Sequence, residues 1–351
     1  MSSKNTQKNN ERVCLGETVS EICSMVGRRK NQEDAHIVTQ LPSGIKLFAI
    51  FDGHGCKLIS KFASENIEFI FRELQPGFAP EEVTRGIQQL ENELFIEAGI
   101  NPTNTTICNC RADLKNLSIL PEDTDLLNYT GTNNRFKMNH LSSMMKCGIL
   151  EQKRDYPETT DTDIFIRREL CLKSGSTAII AILDANRLVV ASIGDSQGIL
   201  VKHNHDEDQL IAVDLQNRLH RFNDEKESTR AKLAGNPPSF YNGSLRVGGL
   251  NVSRSICDFQ SKMVPGIPQN EQPICSMPEI SEIELNPDHD VAIILACDGI
   301  FENKNSQEVV DLLYNGLNDE DYSKSMENVL DKCYKDGSND NMTMIFTKLN
   351  R

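Results

Sequence analysis

The sequence predicts an α+β protein built on antiparallel strands, and three observations support this. Apolar strand candidates at Thr177–Leu183, Leu188–Ile193 and Gly198–Val201 follow one another through short turns, as in a β-meander. Amphipathic helical stretches flank the strands. Several strands open directly onto an aspartate, a pattern that gathers carboxylates on one rim of a sandwich. The 351 residues allow one large domain or two small ones.

Residues 1–20 are polar and are expected to form a flexible N-terminus. Leu47–Phe51 reads as a buried strand, followed at once by Asp52-Gly53-His54-Gly55. Ile59, Phe62, Ala63, Ile67, Ile70 and Leu74 recur at helical spacing, and Pro76-Gly77 ends that helix. A second helix has Pro80 near its start and Val83, Ile87, Leu90 and Leu94 on one face. From about 100 to 172 the periodicity fades into Asn, Thr and Asp clusters, so this stretch reads as an insertion with partial structure. Turns at Asp184-Ala185-Asn186 and Gly194-Asp195-Ser196 join the three strands of the meander. Glu225–Leu233 reads as a helix stopping at Gly235. Val291–Cys297 is a buried strand ending in Asp298-Gly299. Ser306 is the expected N-cap of a helix carrying Val309, Val310, Leu313 and Leu317. A helix over 323–335, stopped at Gly337, and a strand Met342–Leu349 close the chain.

The 37 basic against 51 acidic residues give a net charge of −14, and no basic stripe is visible, which argues against a nucleic-acid partner. No apolar run approaches the ~20 residues of a membrane helix. The first residues lack the apolar core of a secretory signal, and Ser2 cannot be myristoylated, so the expected location is cytoplasmic and/or nuclear. Eleven scattered cysteines without a CxxC pair fit reduced thiols in such a compartment.

The chemistry gathers at the strand ends. Phe48–Phe51 opens onto Asp52, Val189–Ile193 onto Asp195 and Ala292–Cys297 onto Asp298, while Asp340 stands just before Met342–Phe346. Any one of these could be a turn residue. Together they form a cluster of carboxylates that repel one another unless cations neutralise them. Oxygen-only clusters suit Mg²⁺ or Mn²⁺.

Seven stretches then carry a resemblance: SMVGRRKNQEDAH (24–36), FDGHG (51–55), SGSTA (174–178), GDS (194–196), LNVSRSICD (250–258), LACDG (295–299) and GSNDNMT (337–343). In content and order the chain resembles the metal-dependent serine/threonine protein phosphatases of type 2C, the PPM family. The resemblance implies a four-layer α-β-β-α sandwich, with two antiparallel sheets face to face and helices outside. It also implies a single phosphatase domain over 21–351 with the insertion inside it. The implied cofactors are two Mg²⁺ or Mn²⁺ ions. Asp52 would bridge both, the Gly53 carbonyl would bind one, and Asp298 and Asp340 would complete the protein ligands. Glu33 would act through bound water, Arg29 would hold the phosphate oxygens and His54 would protonate the leaving seryl or threonyl oxygen. Asn341 would support the ligands from behind. Asp34 is open between that role and a purely structural one.

The chain departs from the family pattern at Cys56, where a glycine is usual, at Gln197 in place of arginine, and at Ile256-Cys257 in place of Leu-Gly. Glu302 stands where a third-metal aspartate is usual, so with Asp195 and Asp298 it would hold a weaker third ion. The reading is a protein serine/threonine phosphatase that hydrolyses phosphoserine and phosphothreonine by direct attack of a metal-bridging water or hydroxide. Its expected partners are phosphorylated proteins, with no membrane or nucleic acid, and its expected state is a monomer. Two rival readings are a phosphatase-fold binding module that is weak or inactive, and a two-metal phosphodiesterase.

Overall fold

In the computed structural model, the described residues are 6–97, 172–315 and 322–349. The insertion expected at about 100–172 lies, but for its last residue, outside them. The chain opens with β1 (Lys8–Leu15), β2 (Thr18–Met25), β3 (Ala35–Gln40), β4 (Lys46–Phe51) and the short β5 (Gly53–His54). Helices α1 (Leu58–Phe71) and α2 (Pro80–Glu97) follow. Strands then run as β6 (Gly175–Ser176), β7 (Ala178–Asp184), β8 (Arg187–Ile193), β9 (Gln197–Asn204) and β10 (Gln209–Asp214). After α3 (Glu225–Leu233) come a small hairpin, β11 (Ser239–Tyr241) and β12 (Ser244–Arg246), and then β13 (Ile256–Cys257), β14 (Glu279–Glu284) and β15 (Asp290–Ala296). The chain closes with α4 (Asp298–Phe301), α5 (Ser306–Asn315), α6 (Tyr322–Lys335) and β16 (Met342–Lys348).

Six strands pair in the order β1-β2-β16-β15-β9-β10, and five in the order β14-β8-β7-β4-β3. Both sheets are antiparallel throughout. Strand alternation explains why the central strands read as unbroken apolar runs. In β4, Phe48 and Ile50 face the other sheet, in a core shared with Ile179, Val190, Leu200, Ile293 and Ile345. Leu47, Ala49 and Phe51 face outward against Phe62, Ile67, Ile87 and Leu90 of α1 and α2. On the other side, Ile294 and Met344 meet Val310, Leu313, Val329 and Leu330 of α5 and α6. The result is the expected α-β-β-α sandwich. Among the described residues no helix is long and apolar enough to cross a membrane.

Three expectations need correction. The N-terminus is not flexible up to residue 20, because β1 pairs with β2 from Lys8↔Met25 to Leu15↔Thr18. β1 is a mostly exposed edge strand, so its polar sequence lacks the apolar signal of a buried one. The meander ends after two strands: β7 and β8 pair with each other, but Gly194-Asp195-Ser196 carries the chain across to the other sheet, where β9 pairs with β15. Finally, the cap of α5 is Asn305. Its Oδ1 accepts from the Glu308 backbone N–H at 2.9 Å, and Glu308 Oε2 accepts from the Asn305 backbone N–H at 2.8 Å. This is a reciprocal capping box, with Ser306 inside the helix.

One buried ionic knot shapes the segment that leads back to the site. Glu227 on α3 is almost wholly buried, and its Oε1 accepts from Arg254 Nη2 at 2.6 Å. Its Oε2 accepts from Arg230 Nη1 at 2.6 Å and from Ser253 Oγ at 2.7 Å. Burial opposes the charge on Glu227, yet these donors outweigh it and pull the carboxyl down to about 2. The folded state thus binds this proton less tightly than the unfolded chain. The knot contributes stability above the ordinary glutamate range, and that stability is lost as pH falls toward about 2. Glu227→Ala strands two guanidiniums and is expected to destabilise the fold by about 3–5 kcal/mol at neutral pH. Urea unfolding measures this, and a change under about 1 kcal/mol would contradict it.

Candidate active site

The strand registers bring the aspartates to one rim. Ala296 at the end of β15 pairs with Gln197 at the start of β9 and with Met344 near the start of β16. Asp298, Asp195 and Asp340, each two to four residues beyond these positions, therefore leave the sheets at the same end. Asp52 joins them from the end of β4. Burial pushes the Asp52 carboxyl well above the ordinary range, and Asp34, Asp298, Asp340 and Asp195 push it further. Asp298 is raised in the same way, first by burial and then by Asp195 and Asp340. Asp340 is also raised by burial, although Arg29 works against it. Burial raises Asp34 to about 6.

Backbone close approach fixes the geometry around Asp52. A side chain at Gly53 would collide with the Glu33 carbonyl and the Ser60 hydroxyl, so this position excludes every other residue. Ser60 Oγ donates to that same Glu33 carbonyl, tying α1 to the 26–33 loop. Asn341 holds the loop from the other side. Its Nδ2 donates to the carbonyls of Val26 and Asn31, each at 2.9 Å, and its Oδ1 accepts from the Glu33 backbone N–H at 2.8 Å. Asp34 Oδ2 accepts from Thr343 Oγ1 at 2.6 Å. Both Asp34 and Asn341 thus brace the loop that presents Glu33 and Arg29.

Two cations lie on the rim. Arg29 Nη2 donates to Asp340 Oδ2 at 2.5 Å and its Nε to the Asn339 carbonyl at 3.1 Å. Arg221 Nε donates to Asp195 Oδ2 at 2.7 Å, and its Nη2 lies 3.5 Å from Asp298 Oδ2. Arg221 therefore bridges two of the carboxylates expected around a third ion. The other, Glu302, accepts from the Asn339 backbone N–H through Oε2 at 2.7 Å.

His54 has a partner that sequence reasoning missed. Its Nε2 lies 2.7 Å from Oδ2 of the buried Asp258. A carboxylate accepts, so Nε2 carries a proton and Nδ1 is the nitrogen left for a substrate. Burial opposes charge on the ring, but Asp258, Asp195 and Glu33 outweigh it and raise its pKa. Room for the pair comes from Gly175 on β6, where a Cβ would strike both Asp258 and His54. Cys257 and Asp258 both adopt left-handed backbone, with φ of 64° and 51°, an uncommon conformation for residues with a side chain. Glu91 of α2 holds the turn, its Oε1 accepting from the Cys257 backbone N–H at 3.0 Å and from the buried Lys262 at 2.5 Å. Asp258 closes the stretch LNVSRSICD (250–258), so its position was legible in the sequence and its contact with His54 was not. Arg221 sits in no recognisable pattern.

The donor set fits divalent cations. It consists of carboxylates and a carbonyl whose mutual repulsion a cation would relieve, and Asp298 Oδ1 is buried without a hydrogen-bond partner. Asp34, Asp52 and Cys297 also bring ligand atoms within 4.8 Å of one another. Burial and the same aspartates keep the Cys297 thiol protonated, however, so it is a poor ligand. Cys56 packs in the apolar core against α1.

Comparison with known proteins places the chain among the phosphatases. A phosphatase from Toxoplasma gondii shares the fold with a TM-score of 0.66 at 19% identity, over 98% of each chain. A sex-determining protein from C. elegans shares it with a TM-score of 0.61 at 19% identity, over 98% of this chain and 65% of that one. The chain belongs to the protein phosphatase 2C family, whose model matches residues 125–342. A probable protein phosphatase 2C 60 from Arabidopsis thaliana is 28% identical over 93% of this chain and 85% of its own length. Human protein phosphatase 1A is 25% identical over 92% of this chain and 69% of its own. The chain is accordingly a member of a metal-dependent family of protein phosphatases, a family whose substrates are phosphoproteins.

Proposed function

We propose that this phosphatase removes phosphate from phosphoserine and phosphothreonine using the rim that Asp52, Asp298 and Asp340 share. The observation that carries the reading is the convergence of these three carboxylates with Arg29 and the His54–Asp258 pair. Asp52, the Gly53 carbonyl, Asp298 and Asp340 would hold two Mg²⁺ or Mn²⁺ ions. When bound, such ions activate water and neutralise charge on the phosphoryl oxygens. Arg29 offers a planar fork of donors to two phosphate oxygens on giving up its hydrogen bond to Asp340. Glu33, on the loop braced by Asn341, accepts hydrogen bonds from water at the rim. His54 donates the Nδ1 proton to the departing alkoxide oxygen, and Asp258 holds the ring and stabilises its charge. Asp195 and Glu302 would hold a third, weaker ion only by displacing Arg221.

The discriminating experiment compares a phosphoserine peptide with a phosphodiester such as bis-p-nitrophenyl phosphate. Peptide turnover exceeding diester turnover by about a hundredfold or more in kcat/KM supports the reading. Preference for the diester would favour a phosphodiesterase, and turnover of neither in saturating Mn²⁺ would leave a binding module. Cys56→Ser keeps most of the activity, because the direct route needs no covalent phosphoenzyme. A folded but inactive Cys56→Ser variant would contradict it.

A further inference from the structure

The carboxylates expected around a third ion, Asp195, Asp298 and Glu302, do not fit one in this chain, because a guanidinium stands among them. Arg221 Nε donates to Asp195 Oδ2 at 2.7 Å, and its Nη2 lies 3.5 Å from Asp298 Oδ2. Asp195 is almost wholly buried, so its charge needs a partner in contact. Glu302 is held elsewhere, its Oε2 accepting from the Asn339 backbone N–H at 2.7 Å. Burial opposes the charge on Arg221, but Asp195, Asp298 and Glu302 outweigh it and raise its pKa. A divalent ion on the same oxygens would meet a fixed positive charge touching two of its ligands. The position of Arg221 is set by the backbone and not by those carboxylates. The His220 backbone N–H donates to the Gly194 carbonyl at 2.9 Å, and the His220 ring Nδ1 accepts from the Gly194 N–H at 3.2 Å. Burial, with Arg254 acting in the same direction, lowers the His220 pKa to about 4, so the neutral ring keeps the lone pair this bond needs. On the far side, Ser253 N–H donates to the His220 carbonyl at 2.8 Å, and Arg221 forms a β-bridge with Val252. His220 and Arg221 are thus clamped beside Gly194 and Asp195.

We propose that Arg221 takes the place of the third ion, so that this phosphatase works with two ions and a guanidinium built into its fold. The inference rests on the two-ion reading above and goes beyond it by giving the rim its third cation. Arg221 engages Asp298 through Oδ2. Asp298 Oδ1, buried without a hydrogen-bond partner among the described residues, is left for the paired ions. Arg221 is therefore a positioning residue: it fixes how Asp298 presents its free oxygen and neutralises Asp195 behind it. A guanidinium stays protonated at any working pH and does not dissociate, so this charge is independent of metal supply.

The test counts Mn²⁺ on the full chain from the electron paramagnetic resonance signal of the free ion, from micromolar to millimolar metal. The wild type takes up two equivalents. Arg221→Ala takes up a third in the millimolar range, and Arg221→Ala/Asp195→Asn falls back to two. Arg221→Gln keeps most of the stem while removing the charge, and it also takes up the third, so the result does not hang on the fold tolerating alanine. In chelator Arg221→Gln melts below the wild type, because Asp195 is left buried without its cation. Millimolar Mn²⁺ then raises its melting temperature by more than it raises that of the wild type, as binding of an additional ion requires. A third equivalent in the wild type that Asp195→Asn removes, or two equivalents in both Arg221→Ala and Arg221→Gln, would overturn the proposal. Failure of the two-ion reading shows differently, as wild-type uptake that Asp52→Ala leaves unchanged, and would overturn both.

Discussion

Asp298→Asn is expected to abolish turnover, by about a thousandfold or more, while leaving a protein at least as stable as the wild type in chelator. Burial and the neighbouring Asp195 and Asp340 make ionised Asp298 costly in the protein alone. Removing that charge relieves strain at the rim while withdrawing one ligand from the ions, and Arg221 keeps its closer partner, Asp195. The pH dependence gives an independent check of sign. These carboxyls bind protons more tightly folded than unfolded, so in chelator the wild type loses stability as pH rises from the ordinary aspartate range, about 4, through the raised values of these groups. Asp34, at about 6, titrates inside that window. The variant should lose less over the same range, and divalent cations should flatten the wild-type slope. Thermal melts at several pH values, with EDTA and with Mn²⁺, measure this. Turnover within tenfold of wild type would remove Asp298 from the ligand set. A variant that melts well below wild type in EDTA would make the carboxylate a structural one.

His54→Gln is expected to slow a phosphoserine peptide by about 10²–10⁴-fold, with a far smaller loss on p-nitrophenyl phosphate. A seryl alkoxide leaves poorly without a proton, whereas nitrophenolate needs little help. Asp258→Asn should show the same selectivity with a smaller loss, because the ring survives but its Nε2–H faces an amide in place of a carboxylate 2.7 Å away. A merely structural role for Asp258 would lower both substrates equally. The readout is the ratio of kcat for the two substrates. Equal losses in His54→Gln would exclude the ring as proton donor, and equal losses in Asp258→Asn would reduce Asp258 to a packing residue.

The buried strands were legible because each is apolar on both faces, as Phe48 and Ala49 show by packing into different cores. Most strands that escaped notice are exposed or half-exposed; β2 is the exception, almost wholly buried yet with Thr18, Ser20, Glu21 and Ser24 interrupting its apolar signal. Glu279–Glu284 carries only two apolar residues, Gln209–Asp214 leaves Ile211 and Val213 exposed although its middle is apolar, and Lys8–Leu15 is an edge. The carboxylate rim was legible in outline, since a strand end fixes where an aspartate emerges. Its cross-links were not. Arg221 and Asp258 act through contacts 26 and 204 residues distant in sequence, and no local spacing encodes such pairings. The crossing of Gly194-Asp195-Ser196 between sheets was hidden for the same reason. A short turn looks alike whether the next strand pairs beside the last one or above it.

The central claim is tested most directly by phosphate release from a phosphoserine peptide before chelation, after EDTA and after Mn²⁺ add-back. The expected result is loss of turnover in EDTA and its recovery with Mn²⁺, in the wild type and not in Asp52→Ala. Unchanged turnover in EDTA, or recovery in Asp52→Ala equal to wild type, would contradict it.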